Sequence, residues 1–123
     1  MKKLIIAVDF DGVIAEINDD GSLEPRNLVK DADVYLRKLY DEGHTLILWT
    51  CRSAFNLYLA EKFIEKHNIK FHKINDNADT HYEHFKHNSR KVYADLYVDD
   101  KQVCGLPSWA KIYNFVQKLS NSD

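Results

Sequence analysis

The chain has 123 residues, of which 45% are hydrophobic and 12% aromatic, and its formal net charge is −2. These values predict one globular domain over residues 1–123 and exclude a disordered chain. The charge gives no bulk attraction to polyanions, although a local basic patch for nucleic acid stays open. Two cysteines exclude a disulfide scaffold and are typical of a reducing compartment, and no segment approaches transmembrane length. We therefore expect a cytoplasmic protein without a membrane partner.

Four apolar segments predict the strands of a sheet. They are Lys3–Val8, Thr45–Thr50, the weaker Ile69–Ile74, and Ala94–Val98. The polar segments Ala15–Pro25 and Asn75–Asn88 are expected to be loops, the second with room for a helical turn. Strands that alternate with helices predict an α/β fold, in which a mainly parallel sheet lies between helix layers. The expected architecture is a three-layer, Rossmann-like core.

Three segments have the periodicity of amphipathic helices. The first covers Leu28–Glu42 and is followed by Gly43, the residue type that commonly ends a helix. The second predicts a buried face that includes Phe55, and it stops at Asn68. Ser108 can cap the last helix, whose apolar face consists of Trp109, Ile112, Tyr113 and Val116.

Two aspartates, Asp9 and Asp11, follow the first predicted strand directly, and Gly12 permits a sharp turn after them. Open α/β sheets bind their ligands at the carboxyl ends of strands. Two carboxylates without a basic neighbour repel each other unless a cation or a shared proton lies between them. This pattern favours a hard-cation site with one aspartate free as a nucleophile, because a capped turn would need only one Asp.

The same edge of a parallel sheet would receive further polar residues. Thr50 ends the second predicted strand, and Asp99 and Asp100 follow the fourth. Ligands that are all oxygen point to Mg²⁺ rather than zinc. Carboxylates, a metal, a hydroxyl and a lysine together suit phosphoryl transfer, in which a carboxylate attacks phosphorus and water hydrolyses the aspartyl-phosphate. A second aspartate can protonate the leaving oxygen and later activate water.

In these motifs and their order, the chain resembles the haloacid dehalogenase (HAD) superfamily of phosphohydrolases over nearly its whole length. The matching segments are Asp9-Phe10-Asp11-Gly12-Val13, Thr50 after a hydrophobic strand, Lys91 ahead of the last strand, and Tyr97-Val98-Asp99-Asp100. The connections are too short for a cap domain, so the chain looks like a small capless member. In this family, an open site suits macromolecular phosphoesters or closure by another subunit. Small and large substrates and a homo-oligomer therefore stay open.

The resemblance implies Asp9 as the nucleophile and Asp11 as the general acid/base. It also implies that Mg²⁺ is held by the Asp9 side chain, the Asp11 backbone carbonyl and one member of the pair Asp99/Asp100. We favour Asp100 as the direct ligand, with Asp99 supporting it.

The phosphoryl group would be bound by residues that follow the second strand and precede the fourth. The expected phosphate-binding residues are Thr50, Cys51, Arg52 and Lys91. Lys91 is the candidate for the family's lone lysine, which steadies the nucleophile and the phosphate. Lys86 and Arg90 are neighbours that could serve instead. The choice among them stays open in the sequence.

Some features of the sequence also fit functions other than hydrolysis. Receiver domains of two-component signalling share the length and residue types, but their acidic pair ends the first strand and their lysine follows the last one. A catalytically silent phosphate- or protein-binding module on the same fold is the main alternative. Three histidines at a spacing of three could bind zinc, but without a nearby cysteine we expect solvated loop residues: His81, His84 and His87.

Overall fold

A computed structural model describes residues 1–122 and confirms the α/β fold, a four-stranded parallel sheet flanked by helices in a Rossmann-like core without a cap. The strands are β1 (Ile5–Val8), β2 (Thr45–Leu48), β3 (Lys73–Ile74) and β4 (Leu96–Val98). The helices are α1 (Ala32–Asp41), α2 (Ala54–Lys66), α3 (Asp79–Phe85) and α4 (Trp109–Asn121). Among residues 1–122, none of the helices combines the length and the apolar composition that a membrane crossing requires.

The strand order is β3-β2-β1-β4, and every pair is parallel. The central strand β1 pairs with β2 from Ile5–Thr45 to Val8–Leu48, and with β4 on its other side. The chain thus moves outward from β1 to β3 and then crosses to the far side of β1. Such a reversal of strand order opens a crevice at the carboxyl ends of the two adjacent strands where the order reverses, and α/β proteins bind ligands there. Here the crevice lies between β1 and β4.

Alternate side chains of the strands point to opposite faces of the sheet, and the two faces are covered unequally. One face packs against α1, α2 and α4 through Ala32, Leu36, Leu39, Ala60, Phe63, Ile64, Trp109, Ile112 and Val116. The indole N–H of Trp109 donates to the Val13 carbonyl at 2.9 Å and so ties α4 to the loop after β1. The other face packs Ala7 and Ile47 against Val92 and Ala94.

The helix α3 adds little to this second layer. All of its residues are described, and none of them is buried. The segment around it is held by Asn77, a buried residue whose Oδ1 accepts from the Tyr93 N–H at 2.7 Å. The Asn77 amide also donates to the Ser89 carbonyl at 3.2 Å. The two ends of this connection are therefore joined through one side chain.

The predicted helix boundaries are confirmed where glycine, asparagine or serine marks them. Gly43 and Asn68 follow α1 and α2 with left-handed φ values of 91° and 58°. The Ser108 hydroxyl accepts from the Lys111 N–H at 3.3 Å and caps α4. Local chemistry thus determines these ends.

The predicted start of the first helix at Leu28 is wrong, because α1 begins at Ala32. Leu28 instead forms an antiparallel bridge with Ala15, and the Val29 N–H donates to the Ile14 carbonyl at 2.8 Å. This pairing takes up the backbone groups that a helix would need.

Two other predictions also need correction. The third strand is shorter than Ile69–Ile74, because only Lys73 and Ile74 pair with β2. Phe55 is not part of the core: it is 68% exposed and stacks on Tyr58 with ring centroids 6.0 Å apart. The buried residues of α2 all lie in the second half of the helix, so its first turn stays at the surface.

Candidate active site

Three of the predicted aspartates meet at the crevice between β1 and β4. The Asp9 N–H donates to the Val98 carbonyl at 2.9 Å, which extends the β1–β4 pairing to the first aspartate. The Asp9 Oδ1 accepts from the Phe10 N–H at 2.8 Å, which fixes the orientation of the carboxylate. Carboxylate oxygens of Asp9, Asp99 and Asp100 lie within 4.8 Å of one another. The sequence predicted that these residues share one edge of the sheet, because the carboxyl ends of parallel strands lie on the same edge.

Within this cluster, Asp9 has a raised pKa, because its charged form is destabilised. The pKa of Asp9 is raised from 3.8 to about 7, chiefly by burial and to a smaller extent by the negative charges of Asp99, Asp100 and Asp11. The hydrogen bond from the Phe10 N–H acts in the opposite direction. A divalent cation among the carboxylates would offset this repulsion, and a donor set of oxygens alone fits Mg²⁺. The residues present therefore fit the predicted metal.

Gly12 makes room for one of these carboxylates. Its backbone has a φ of 80°, and a Cβ atom there would lie 2.2 Å from the Asp100 Oδ2 and 2.8 Å from its Cγ. Such distances are far below van der Waals contact, so the Asp100 carboxylate occupies space that any other residue type would fill. The carboxylate of Asp99, the residue before Asp100, accepts a hydrogen bond from the Lys101 N–H at 2.8 Å. Which of the pair binds the metal directly stays a prediction.

Thr50 is buried at the end of β2, and Asn75 holds it in place. The Thr50 N–H donates to the Asn75 Oδ1 at 2.8 Å, and the Asn75 Nδ2 donates to the Thr50 carbonyl at 2.8 Å. The Thr50 hydroxyl accepts from the Arg52 N–H at 3.1 Å. Because it is the acceptor in that bond, the hydroxyl keeps its own hydrogen for a ligand. Sequence reasoning missed Asn75, whose signal is a polar residue directly after a strand.

Asp11 lies apart from the other three carboxylates and pairs with Arg52. The Arg52 Nε and Nη2 donate to the two Asp11 oxygens at 3.0 and 2.9 Å. Arg52 was predicted to bind phosphate, but its guanidinium is engaged by this carboxylate. The predicted metal contact of Asp11 concerns its backbone carbonyl, and its side chain does not belong to the cluster of Asp9, Asp99 and Asp100.

A cleft of about 380 Å³ brings most of the predicted residues together. Its walls are formed by Asp9, Asp11, Ile17, Trp49, Thr50, Cys51, Asp99, Asp100 and Lys101. Three of these were not predicted: Ile17, Trp49 and Lys101. A wider groove of about 630 Å³ beside β3 contains none of the predicted site residues. The predicted site residues therefore belong to the smaller cleft.

Lys91 is not among the residues that line the cleft, and its contact with the nucleophile stays a prediction. Its Nζ lies 5.1 Å from the centroid of the Tyr97 ring. The Tyr97 hydroxyl donates to the Val92 carbonyl at 2.7 Å, and Tyr97 pairs with Ala7, which lies on the second face of the sheet. Lys86 is exposed at the end of α3 and also lies outside the cleft wall. Lys101 is the lysine that the fold places there, directly after the acidic pair.

The raised pKa of Asp9 predicts a pH-dependent loss of stability in the metal-free protein. The folded state binds this proton more tightly than the unfolded state, so stability falls as the pH rises from about 4 to about 7. In EDTA at pH 8, Asp9→Asn should raise the free energy of unfolding by about 1–2 kcal/mol, after allowance for partial exposure. We expect the two Tm values to converge as the pH approaches 4. The exposed Asp19→Asn serves as a control for charge removal, and an unchanged Asp9→Asn Tm at pH 8 would contradict the prediction.

The chain is similar to a solved structure, that of a conserved protein from Bacteroides thetaiotaomicron. The two share 33% sequence identity and superpose with a TM-score of 0.82. The match covers 96% of this chain and 93% of the other. No protein-family model matches the chain, and no curated protein matches it significantly.

Proposed function

We propose that this chain, which belongs to the same family as the conserved Bacteroides thetaiotaomicron protein, is a Mg²⁺-dependent phosphomonoester hydrolase of the capless HAD type. In the proposed reaction, the Asp9 carboxylate carries the phosphoryl group as an aspartyl-phosphate intermediate. One observation carries the proposal: carboxylate oxygens of Asp9, Asp99 and Asp100 lie within 4.8 Å of one another, at the point where the strand order reverses. Three crowded carboxylates repel one another unless a cation lies among them. A divalent cation at this position would also neutralise the negative charge of the phosphoryl oxygens of a phosphate ester.

The metal would be held by Asp9 and Asp100, with Asp99 beside them and the Asp11 carbonyl as the contact implied by the HAD resemblance. Bound there, Mg²⁺ supplies charge neutralisation for the phosphoryl oxygens. The Asp9 carboxylate is then the group that attacks phosphorus, because its backbone bond to Phe10 holds it at the mouth of the crevice.

The reaction has two displacements at phosphorus. In the first, an Asp9 oxygen bonds to phosphorus, the ester P–O bond breaks, and the leaving oxygen takes a proton from Asp11. In the second, Asp11 takes a proton from water as the water oxygen bonds to phosphorus and the Asp9–phosphorus bond breaks. The products are the alcohol and inorganic phosphate, and both aspartates return to their initial states. Thr50 and Cys51 line the cleft where the phosphoryl oxygens would lie.

Lys101 is proposed to contact the phosphoryl group in place of Lys91. Lys101→Ala should lower kcat/KM by about 10-fold to 100-fold, since it removes a charge-assisted hydrogen bond to an oxyanion. Lys91→Ala, its matched control, should change kcat/KM by less than about 2-fold, because the Lys91 ammonium lies over the Tyr97 ring. Steady-state kinetics on one phosphoester measures both. The opposite ranking of the two variants would return the lysine role to Lys91.

Phosphate release from a broad panel of phosphomonoesters, with Mg²⁺ or with EDTA, tests the proposed function. We expect turnover that requires Mg²⁺, and the preferred ester would identify the substrate class. The panel spans nucleotides, sugar phosphates, phosphopeptides and nucleic-acid 3′-phosphates, because the cleft is open and Ile17 at its wall is 60% exposed. Absence of turnover on every ester, with beryllofluoride still bound at Asp9, would favour the catalytically silent module. We propose that the activity is cytoplasmic.

A further inference from the structure

Arg52 does not line the cleft itself but lies buried behind Asp11, one of the residues that do. Only 8% of the residue is exposed, and its Nη1 donates to the Asn56 carbonyl at 3.0 Å. Its guanidinium carbon lies 4.9 Å from the centroid of the buried Phe10 ring. The Phe10 ring thus packs against one face of the guanidinium, and the first turn of α2 binds its Nη1 end.

The remaining end of the guanidinium is directed at Asp11. The Nε and Nη2 atoms form two parallel hydrogen bonds to the two carboxylate oxygens, at 3.0 and 2.9 Å. A planar fork of this kind fixes both the position and the plane of a carboxylate, which a lysine cannot do. The Asp11 side chain is 37% exposed, and it would otherwise be free to rotate into solvent.

We propose that Arg52 is a positioning residue for Asp11, an inference that rests on the proposed phosphohydrolase function. Arg52 keeps the Asp11 carboxyl at the cleft wall, where it gives a proton to the leaving oxygen and later takes one from water. Each Asp11 oxygen accepts one hydrogen bond from the fork and has a second lone pair, and on one of the oxygens this second position carries the proton. That proton goes to the leaving oxygen as the ester bond breaks, and the same position then takes the proton of water. Arg52 acts through Asp11 and transfers no proton itself. A phosphate would have to compete with Asp11 for the same fork.

The dependence of the rate on the leaving group separates this role from phosphate binding. An alkyl oxygen needs a proton to leave, whereas p-nitrophenolate leaves without one. The measurement is kcat/KM of Arg52→Gln for glycerol phosphate and for p-nitrophenyl phosphate. We expect a loss of about 100-fold for glycerol phosphate and of less than about 5-fold for p-nitrophenyl phosphate. The retained aryl activity shows that the variant folds.

Three further variants complete the test. Asp11→Asn should show the same selective loss, and the double variant should lose no more than about 3-fold beyond Asp11→Asn alone, because both changes remove one function. Arg52→Lys should fall between wild type and Arg52→Gln, since it restores the charge without the fork.

Each alternative result overturns the inference. Equal losses on both esters with a raised KM would mean that Arg52 binds phosphate. Equal losses that follow a lowered Tm would mean a structural role. A wild-type protein that hydrolyses neither these esters nor the wider panel would overturn the proposed function together with this inference.

Discussion

Asp9→Asn should lower kcat for phosphate release by roughly 10³-fold or more while the protein stays folded. The amide that replaces the carboxylate is a poor nucleophile, so the aspartyl-phosphate cannot form at a useful rate. The side chain is nearly isosteric with aspartate and can still accept the hydrogen bond that the Phe10 N–H donates at 2.8 Å. Folding should therefore be preserved, and circular dichroism and a thermal melt verify it.

The measurement is phosphate release with saturating Mg²⁺ and the preferred ester, with Asp19→Asn as a control for the loss of one exposed carboxylate. Trapping of labelled phosphate on the protein adds an independent readout, because acid quenching should recover a phosphorylated wild type and an unlabelled Asp9→Asn. A variant with the wild-type rate would show that Asp9 is not the nucleophile.

Gly12→Ala should remove most of the metal-dependent activity, by about 100-fold. A Cβ at this position would lie 2.2 Å from the Asp100 Oδ2, so the carboxylate has to move out of the cluster. The displacement should weaken Mg²⁺ binding as well as turnover. The φ of 80° adds a backbone cost of about 1–2 kcal/mol for any residue other than glycine.

The chain offers a matched control for that backbone cost. Gly21 has a φ of 78°, and no atom of the described residues lies within 4 Å of its hypothetical Cβ. Gly21→Ala should therefore lose similar stability and keep its Mg²⁺ dependence. The measurements are thermal unfolding, Mg²⁺ titration by calorimetry, and the Mg²⁺ dependence of phosphate release. Equal behaviour of the two variants would show that Asp100 is not needed where the structure places it.

The parts of the site that the sequence predicts are those that depend only on the strands being parallel. A parallel sheet brings its carboxyl ends to one edge, so Asp9 and the pair Asp99/Asp100 converge without any knowledge of side-chain packing. Gly43 and Ser108 mark helix ends through chemistry that acts over a few residues.

The missed features depend on contacts between distant segments. The pair of Arg52 with Asp11 joins residues 41 positions apart, and no local pattern predicts it. The bridge between Ala15 and Leu28 competes with the helical periodicity and displaces the start of α1. Lys91 and Lys101 are both lysines close to the fourth strand in the sequence. The structure separates them: Lys101 lines the cleft, whereas the Lys91 ammonium lies over the Tyr97 ring.

The exposed helix α3 also bears on how this fold tolerates added sequence. None of its described side chains is buried, while Val92 and Ala94 close the second face of the sheet without it. The Asn77 side chain joins the two ends of the connection through Tyr93 and Ser89. An insertion between these ends costs only the entropy of a longer loop, which grows slowly with length. This connection is therefore where the fold can accept a further structural unit, with the carboxylates left in place.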